Sequence, residues 1–260
     1  MHSINQIKDV PGFLPATSRS KFEDADYLAI LCHEIRTPLG AIVGLADILA
    51  STKCSPKQQT ECADMLHDSS KMLMGLLNDL LDSFKLDNGK VELEHTTFDL
   101  AQVLEEAKNI AMVKAREKGL SIYTRIGKPA SALFMGDPLR IRQIILNLLG
   151  NAVKFTAKGI ISLYMTEEVN SHGQSEVCIT VADSGIGIEK EKLGKIFDKY
   201  TQGDASTTRQ YGGTGLGLFI SQELAHLMKG TITVKSWPQM GSHFIVTLPL
   251  QKAPALLAIV

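Results

Sequence analysis

Long apolar runs are missing from this sequence, and so is any excess of charge. Nowhere do apolar residues continue for the roughly eighteen positions that a membrane-crossing helix requires. The 27 Lys and Arg nearly cancel the 28 Asp and Glu, leaving a formal net charge of -1. That balance argues against a general nucleic-acid or membrane-surface binder. Cysteine is sparse: Cys32, Cys54, Cys62 and Cys178 include no C-x-x-C pair, which removes the usual signatures of a disulfide framework or a zinc site. Four reduced thiols fit a cytosolic protein. The opening segment MHSINQIKDVPGFLP lacks the basic start and apolar stretch of a signal peptide. The expected location is therefore cytoplasmic, either for a whole protein or for the soluble core of a larger or membrane-associated one. Repeats and low-complexity tracts are also absent. What is present is an ordinary globular balance, 44% apolar and 21% charged, which permits a packed core and excludes wholesale disorder.

The chain has two halves. From Phe22 to about Leu86 there is almost no strand signal. Leu28, Leu31, Ile35, Leu39, Ile42, Leu45 and Leu49 recur at spacings of three and four, the stripe of an amphipathic helix. After a break at 51–55, Ser55-Pro56 makes a good helix start. A second stripe runs Cys62, Met65, Leu66, Ser69, Leu73, Leu76, Leu80 and Phe84, with Gly89 as a stop. Two long helices joined by a short loop predict an antiparallel hairpin. Such a hairpin cannot shield two apolar stripes alone. A homodimer, two hairpins making a four-helix bundle, is the simplest solution; packing on the C-terminal half is the other.

From about Val91 the pattern becomes mixed. A helix is expected from Phe98-Asp99 to Lys118, a strand over Leu120–Ile126, and a helix capped by Asp137-Pro138. Two strands, GIISLYMTEEV and EVCITVAD, flank the polar turn NSHGQS. A helix near Leu216–Met228 precedes two last strands, TITVKS and SHFIVTLPL. Hairpin-joined strands imply a mixed, largely antiparallel sheet with helices on one face. The segments before Phe22 and after Leu250 are expected to be loosely held.

Within the first helix, LCHEIRTPLG crowds polar chemistry before a proline. At about 100° per residue, His33 points roughly 170° from the apolar stripe, with Thr37 beside it one turn on. Pro38 removes the amide that would bond the Glu34 carbonyl, so a kink is expected. Neutral imidazole is a good nucleophile, and a carboxylate at Glu34 could fix its tautomer and stabilise the cation formed on attack. Taken alone, a His-Glu pair is more simply a solvated helix surface.

In the helix after Asp137, Asn147, Asn151 and Lys154 fall within about 60° of one face. Ile141, Ile145, Leu148, Ala152 and Phe155 cover another. Two amides and a lysine on one stripe suit a hydrated Mg²⁺ and phosphate oxygens; a plain polar face is the alternative. VADSGIGI ends a strand in Asp183, which can accept from an adenine amino group, followed by Gly185 and Gly187. YGGTGLGLFI opens a helix, and its glycines free backbone amides to approach an anion. This is neither a P-loop nor a Rossmann turn. The polar stretch KYTQGDASTTRQ before it reads as a lid or as a bland surface loop.

Together these residues resemble the sensor histidine kinases of two-component signalling. CHEIRTPL is similar to their phosphoacceptor motif and NLLGNAVKFT to their asparagine motif. ADSGIGI and GGTGLGL are similar to their two glycine motifs, and KIFDKYTQ to the phenylalanine motif between them. The resemblance covers Phe22 to Leu250 in the family's order. It implies a linker over 1–21, a dimerisation and histidine-phosphotransfer hairpin over 22–88, an ATP-binding α/β sandwich over 89–250 and a tail over 251–260. His33 would be phosphorylated, with Glu34 as its base and Thr37 placing water for dephosphorylation of the partner. Asn151 would ligate Mg²⁺, with Asn147 and Lys154 near the phosphates. Asp183 would bind adenine, Gly185 and Gly187 would line its pocket, and the run Gly213, Thr214, Gly215, Leu216 and Gly217 would wrap the triphosphate of ATP. Phe197 would anchor the lid.

The implied partners are a second copy of the chain and the receiver domain of a response regulator, with no nucleic acid and no membrane span. STTRQYGGTGLGL is most similar to hybrid kinases, so the chain is expected to be a short soluble kinase or an excised catalytic core. Two other classes compete. A degenerate scaffold would lack a motif, and none is missing. An ATPase of the wider superfamily would need an acid in the asparagine helix, where position 147 is Asn.

Overall fold

A computed structural model describes residues 21–51, 54–127, 133–169, 175–201 and 215–253. Helices α1 (Lys21–Ala50) and α2 (Pro56–Asp87) pack against each other as a hairpin. Helix α1 continues through Pro38, although that ring leaves the Glu34 carbonyl without its helical donor. A capping box starts α2: the Gln58 amide donates to Ser55 Oγ at 3.3 Å, and the Ser55 amide donates to Gln58 Oε1 at 3.0 Å. Its end is set by Gly89, whose φ of +60° lets the Lys90 amide return to the Lys85 carbonyl at 2.8 Å. Leu45 and Leu76 are buried in the hairpin, whereas Leu39, Met65 and Phe84 of the predicted stripes are 46%, 58% and 53% exposed.

The second half is a sandwich. Strands β2 (Ser121–Ile126), β4 (Ile160–Val169), β5 (Ser175–Asp183), β6 (Thr231–Trp237) and β7 (Gly241–Leu248) form one sheet in the order β2-β4-β5-β7-β6. Only β2 and β4 run parallel; the other neighbours are antiparallel. Helices α3 (Leu100–Glu117), α4 (Pro138–Phe155) and α6 (Gly217–Leu227) cover one face, and a single turn, α5 (Lys190–Leu193), follows β5. Leu104, Ile144, Ile145 and Leu148 from the helices meet Ile161, Leu163, Ile179 and Val246 from the strands, all fully buried. Period-two burial on the strands and three-to-four spacing on the helices produce this core.

One sheet was not anticipated, and one expectation needs correction. A separate three-stranded sheet joins the core, in the order β1 (Thr96–Asp99), β3 (Leu133–Gly136) and β8 (Gln251–Lys252). Strands of two to four residues are too short to show alternation in sequence; what holds this sheet is Phe98 opposite Phe134, both buried. For the same reason the chain does not loosen at Leu250: Gln251 and Lys252 pair with Met135 and Phe134. The helix expected at Phe98-Asp99 starts there: Asp99 is its cap, accepting from the Ala101 amide at 2.8 Å, and Leu100 is its first residue. The turn at 170–174, the stretch 202–214 with Gly213 and Thr214, and the end segments 1–20 and 254–260 lie outside the described residues.

Candidate active site

Helix α1 places His33 on its exposed face. Thr37, one turn on, is also exposed, and its Oγ1 donates to the His33 carbonyl at 3.2 Å. Glu34 is half-buried, and its carboxylate acts on the charge of Lys154 at the end of α4.

Helix α4 owes its position to Asp137, a buried cap. One of its oxygens accepts from the Arg140 amide and the other from the Glu94 amide, each at 3.0 Å. Its far end is held by Lys118, whose Nζ donates to the Val153 and Lys154 carbonyls at 2.9 and 3.1 Å. Between these anchors Ile141, Ile145, Leu148 and Ala152 are buried, while Asn147, Asn151 and Lys154 stay half-buried on the other side. Burial pushes the Lys154 ammonium below its ordinary pKa, and Glu34 opposes that shift. A cation so placed gains from an anion beside it, which is the chemistry of a phosphate neighbour. Asn147 Nδ2 donates to Ser221 Oγ at 2.8 Å. Ser221 was not singled out from sequence; it follows Gly217 by one helical turn, and that spacing was the available signal.

Asp183 closes β5. Its Oδ1 accepts from the Gly185 amide at 2.8 Å. Burial raises its pKa, and the backbone amides of Gly185 and Ser242, with His243 nearby, pull it back. The result is a carboxylate kept partly dry with acceptor capacity to spare, which fits an amino-group donor such as adenine.

Close packing also requires glycine at these positions. A Cβ on Gly185 would come within 2.5 Å of the Phe155 carbonyl, and one on Gly187, at φ +68°, would overlap the Trp237 carbonyl. Gly215, at φ +67°, sits against Thr201, and a Cβ on Gly217 would run into the Asn147 amide. Their missing side chains make room for the protein's own backbone and for Asn147. The Asp183 turn is further clamped by the β6–β7 hairpin. Ile188 donates its amide to Ser236 Oγ at 2.7 Å, and Gln239 donates its amide to the Ile186 carbonyl at 2.7 Å. Leu216 is fully buried, and Phe197 packs on the core.

Asn147 and Gly217 line a cleft of about 600 Å³ whose opposite wall is Gly75 and Asp79 of α2. Below it Gln143 Nε2 donates to Asp82 Oδ2 at 2.7 Å, with Arg140 Nη1 at 3.4 Å from Oδ1. Lys199 pairs with Asp87. Among the described residues no group of His, Cys, Asp and Glu forms a metal cluster, and no helix is long and apolar enough to cross a membrane.

Comparison with known proteins identifies two family models in the chain. Residues 136–252 match the histidine kinase-, DNA gyrase B- and HSP90-like ATPases, and residues 24–89 match the His kinase A phospho-acceptor domain. The autoinducer 2 sensor kinase/phosphatase LuxQ of Vibrio parahaemolyticus is 35% identical over 90% of the chain. The signal transduction histidine-protein kinase BarA of Escherichia coli is likewise 35% identical over 90% of it. The chain spans 27% and 25% of those two proteins. Full-length ShkA, solved in complex with AMPPNP, superimposes with a TM-score of 0.66 at 31% identity, covering 88% of this chain and 47% of that one. The Acinetobacter baumannii histidine kinase AdeS shares the fold, with a TM-score of 0.60 at 22% identity over 84% of this chain and 97% of its own. With both domain types present in this order, the chain belongs to the sensor histidine kinase family and holds its catalytic core.

Proposed function

We propose that the chain transfers the γ-phosphoryl group of ATP to His33, and from there to an aspartate in the receiver domain of a response regulator. An imidazole nitrogen attacks phosphorus, the bond to the β-phosphate oxygen breaks, and ADP leaves. Glu34 takes the proton from the other ring nitrogen, so the phosphorylated ring ends neutral. Catalysis of this kind depends on positioning and charge neutralisation. The observation that carries the reading is that one chain joins a phospho-acceptor hairpin with an exposed His33 to an ATPase-type half whose α4 presents Asn147, Asn151 and Lys154 on one stripe.

The remaining residues take these roles in this reading. Asp183 accepts from adenine. Asn147, Asn151 and Lys154 face the phosphates, with Gly217 packed beside Asn147. Mg²⁺, held through Asn151, would neutralise the phosphate charge. Thr37 positions water for dephosphorylation of the regulator; its hydroxyl, donating to the His33 carbonyl, keeps its lone pairs available.

Two copies of the hairpin associate as a four-helix bundle. Val43, Met65, Leu81 and Phe84 are all more than half exposed in one copy, and a second copy would remove them from water. The test of the phosphoryl-transfer reading is His33→Gln, which abolishes labelling from γ-labelled ATP and leaves nucleotide affinity unchanged. Loss of both together would contradict the division of labour between the two halves.

A further inference from the structure

The cleft between α2 and the ATP-binding half carries a feature that the phosphoryl-transfer reading does not use. Its domain wall contains Asn147 and Gly217, read above as the phosphate side of the nucleotide site, and its other wall carries Asp79 of α2. A second carboxylate, Asp82, lies one turn further along the same face, tied to Arg140 and Gln143. Asp79 is the acid of a cleft lining that also holds the cations Lys114 and Arg142, and a carboxylate is an unexpected wall for a space that would border a triphosphate. We propose that Asp79 is an electrostatic gate on the phosphate side of the site: with α2 docked it opposes a bound triphosphate, and a bound triphosphate loosens α2. The proposal rests on the reading of the Asn147 face as phosphate-binding. Reciprocity is required, since any ligand weakened by the docked helix must weaken the docking to the same degree.

The groups facing Asp79 support a gate over a salt bridge. Arg140 is occupied by Asp82 and Gln143. Arg142 pairs with Glu106 at 2.9 Å. Lys114 of α3, Gln143 and Asn147 of α4 and Ser221 of α6 complete the walls. Burial and the neighbouring Asp82 push the Asp79 carboxyl up to about 6. Neither influence is a cation that would hold its charge, so the group can pass between neutral and charged states near neutral pH.

The test compares affinities for a non-hydrolysable ATP analogue with Mg²⁺ and for adenosine, in wild type, Asp79→Asn and Asp79→Glu at pH 8. Asp79→Asn should tighten the triphosphate about fivefold, at the lower end of couplings between sites, and leave adenosine unchanged. Asp79→Glu, which keeps the charge, should behave as wild type. The advantage of Asp79→Asn over wild type should vanish below pH about 6. Equal shifts for both ligands, or none, would overturn the gate. A wild-type chain that binds neither ligand would overturn the nucleotide reading itself. Asp79→Ser serves as a second neutral variant, because the ratio of affinities is read within each folded protein.

Discussion

Gln143 Nε2 and Asp82 Oδ2 lie 2.7 Å apart although 61 positions separate them in sequence. This hydrogen bond, with Arg140 beside it, ties the asparagine helix to α2 and sets how the ATP-binding half rests on the hairpin. Asp82→Ala leaves the Gln143 amide and the Arg140 guanidinium short of a partner. The expected cost is about 1–3 kcal/mol of docking free energy, the range for hydrogen bonds to charged groups. Hydrogen exchange at the α2–α6 contact should quicken while exchange in the sandwich core stays fixed. Unchanged exchange at that contact would show that Asp82 does not hold the two halves together.

Asp79 makes stability depend on pH. Its pKa is raised from 3.8 to about 6 by burial and Asp82. A raised carboxyl favours folding in its neutral form, so that contribution is complete below pH 3.8 and is lost as pH rises through about 6. Asp79→Asn keeps the neutral form throughout. Between pH 4 and 7 wild type should lose about 1–2 kcal/mol relative to Asp79→Asn, after allowing for solvent screening. Parallel pH profiles from denaturant titrations of the two proteins would refute this.

Gly187 should tolerate no side chain. Its φ is +68°, and a Cβ there overlaps the Trp237 carbonyl. Gly187→Ala forces the Asp183 turn away from the β6–β7 hairpin at a cost of about 2–4 kcal/mol, combining backbone strain and a backbone clash. Gly150→Ala, on an exposed helix position with open space around its Cβ, should instead be neutral or stabilising. Thermal denaturation of both variants checks the contrast, and equal effects would mean that the clash relaxes without cost.

Much of this was legible in sequence. The helices announced themselves through apolar spacing and caps, and Ser55, Asp99 and Asp137 all cap as their positions suggest. The larger sheet followed from alternation in long strands. The smaller sheet did not, since β1, β3 and β8 are too short to display a period and depend on partners far away in sequence. The polar faces of α1 and α4 were readable from helical arithmetic alone. What could not be read was which side chains meet across the two halves. Asp82 with Gln143 and Lys199 with Asp87 are fixed by docking, and no local pattern encodes docking. The glycine motifs were visible, but not all of their packing: only the folded chain reveals that Gly185 and Gly187 also make way for the Phe155 and Trp237 carbonyls.

Association of two copies predicts a further effect. Met65 and Phe84 belong to the apolar stripe of α2 but are 58% and 53% exposed in one copy. Met65→Lys and Phe84→Lys should each weaken the dimer about tenfold or more, since burying an unpaired ammonium is costly. Sedimentation across a concentration series measures this. Unchanged dimers would place the contact on another face of the hairpin.

Incubation of wild type and His33→Gln with γ-labelled ATP and Mg²⁺, followed by acid and alkali treatment, tests the central claim most directly. The expected result is a label on wild type that is lost in acid and survives alkali, as a phosphohistidine should, and that is missing from His33→Gln. An equally strong label on His33→Gln, or one stable to acid, would contradict phosphorylation at His33.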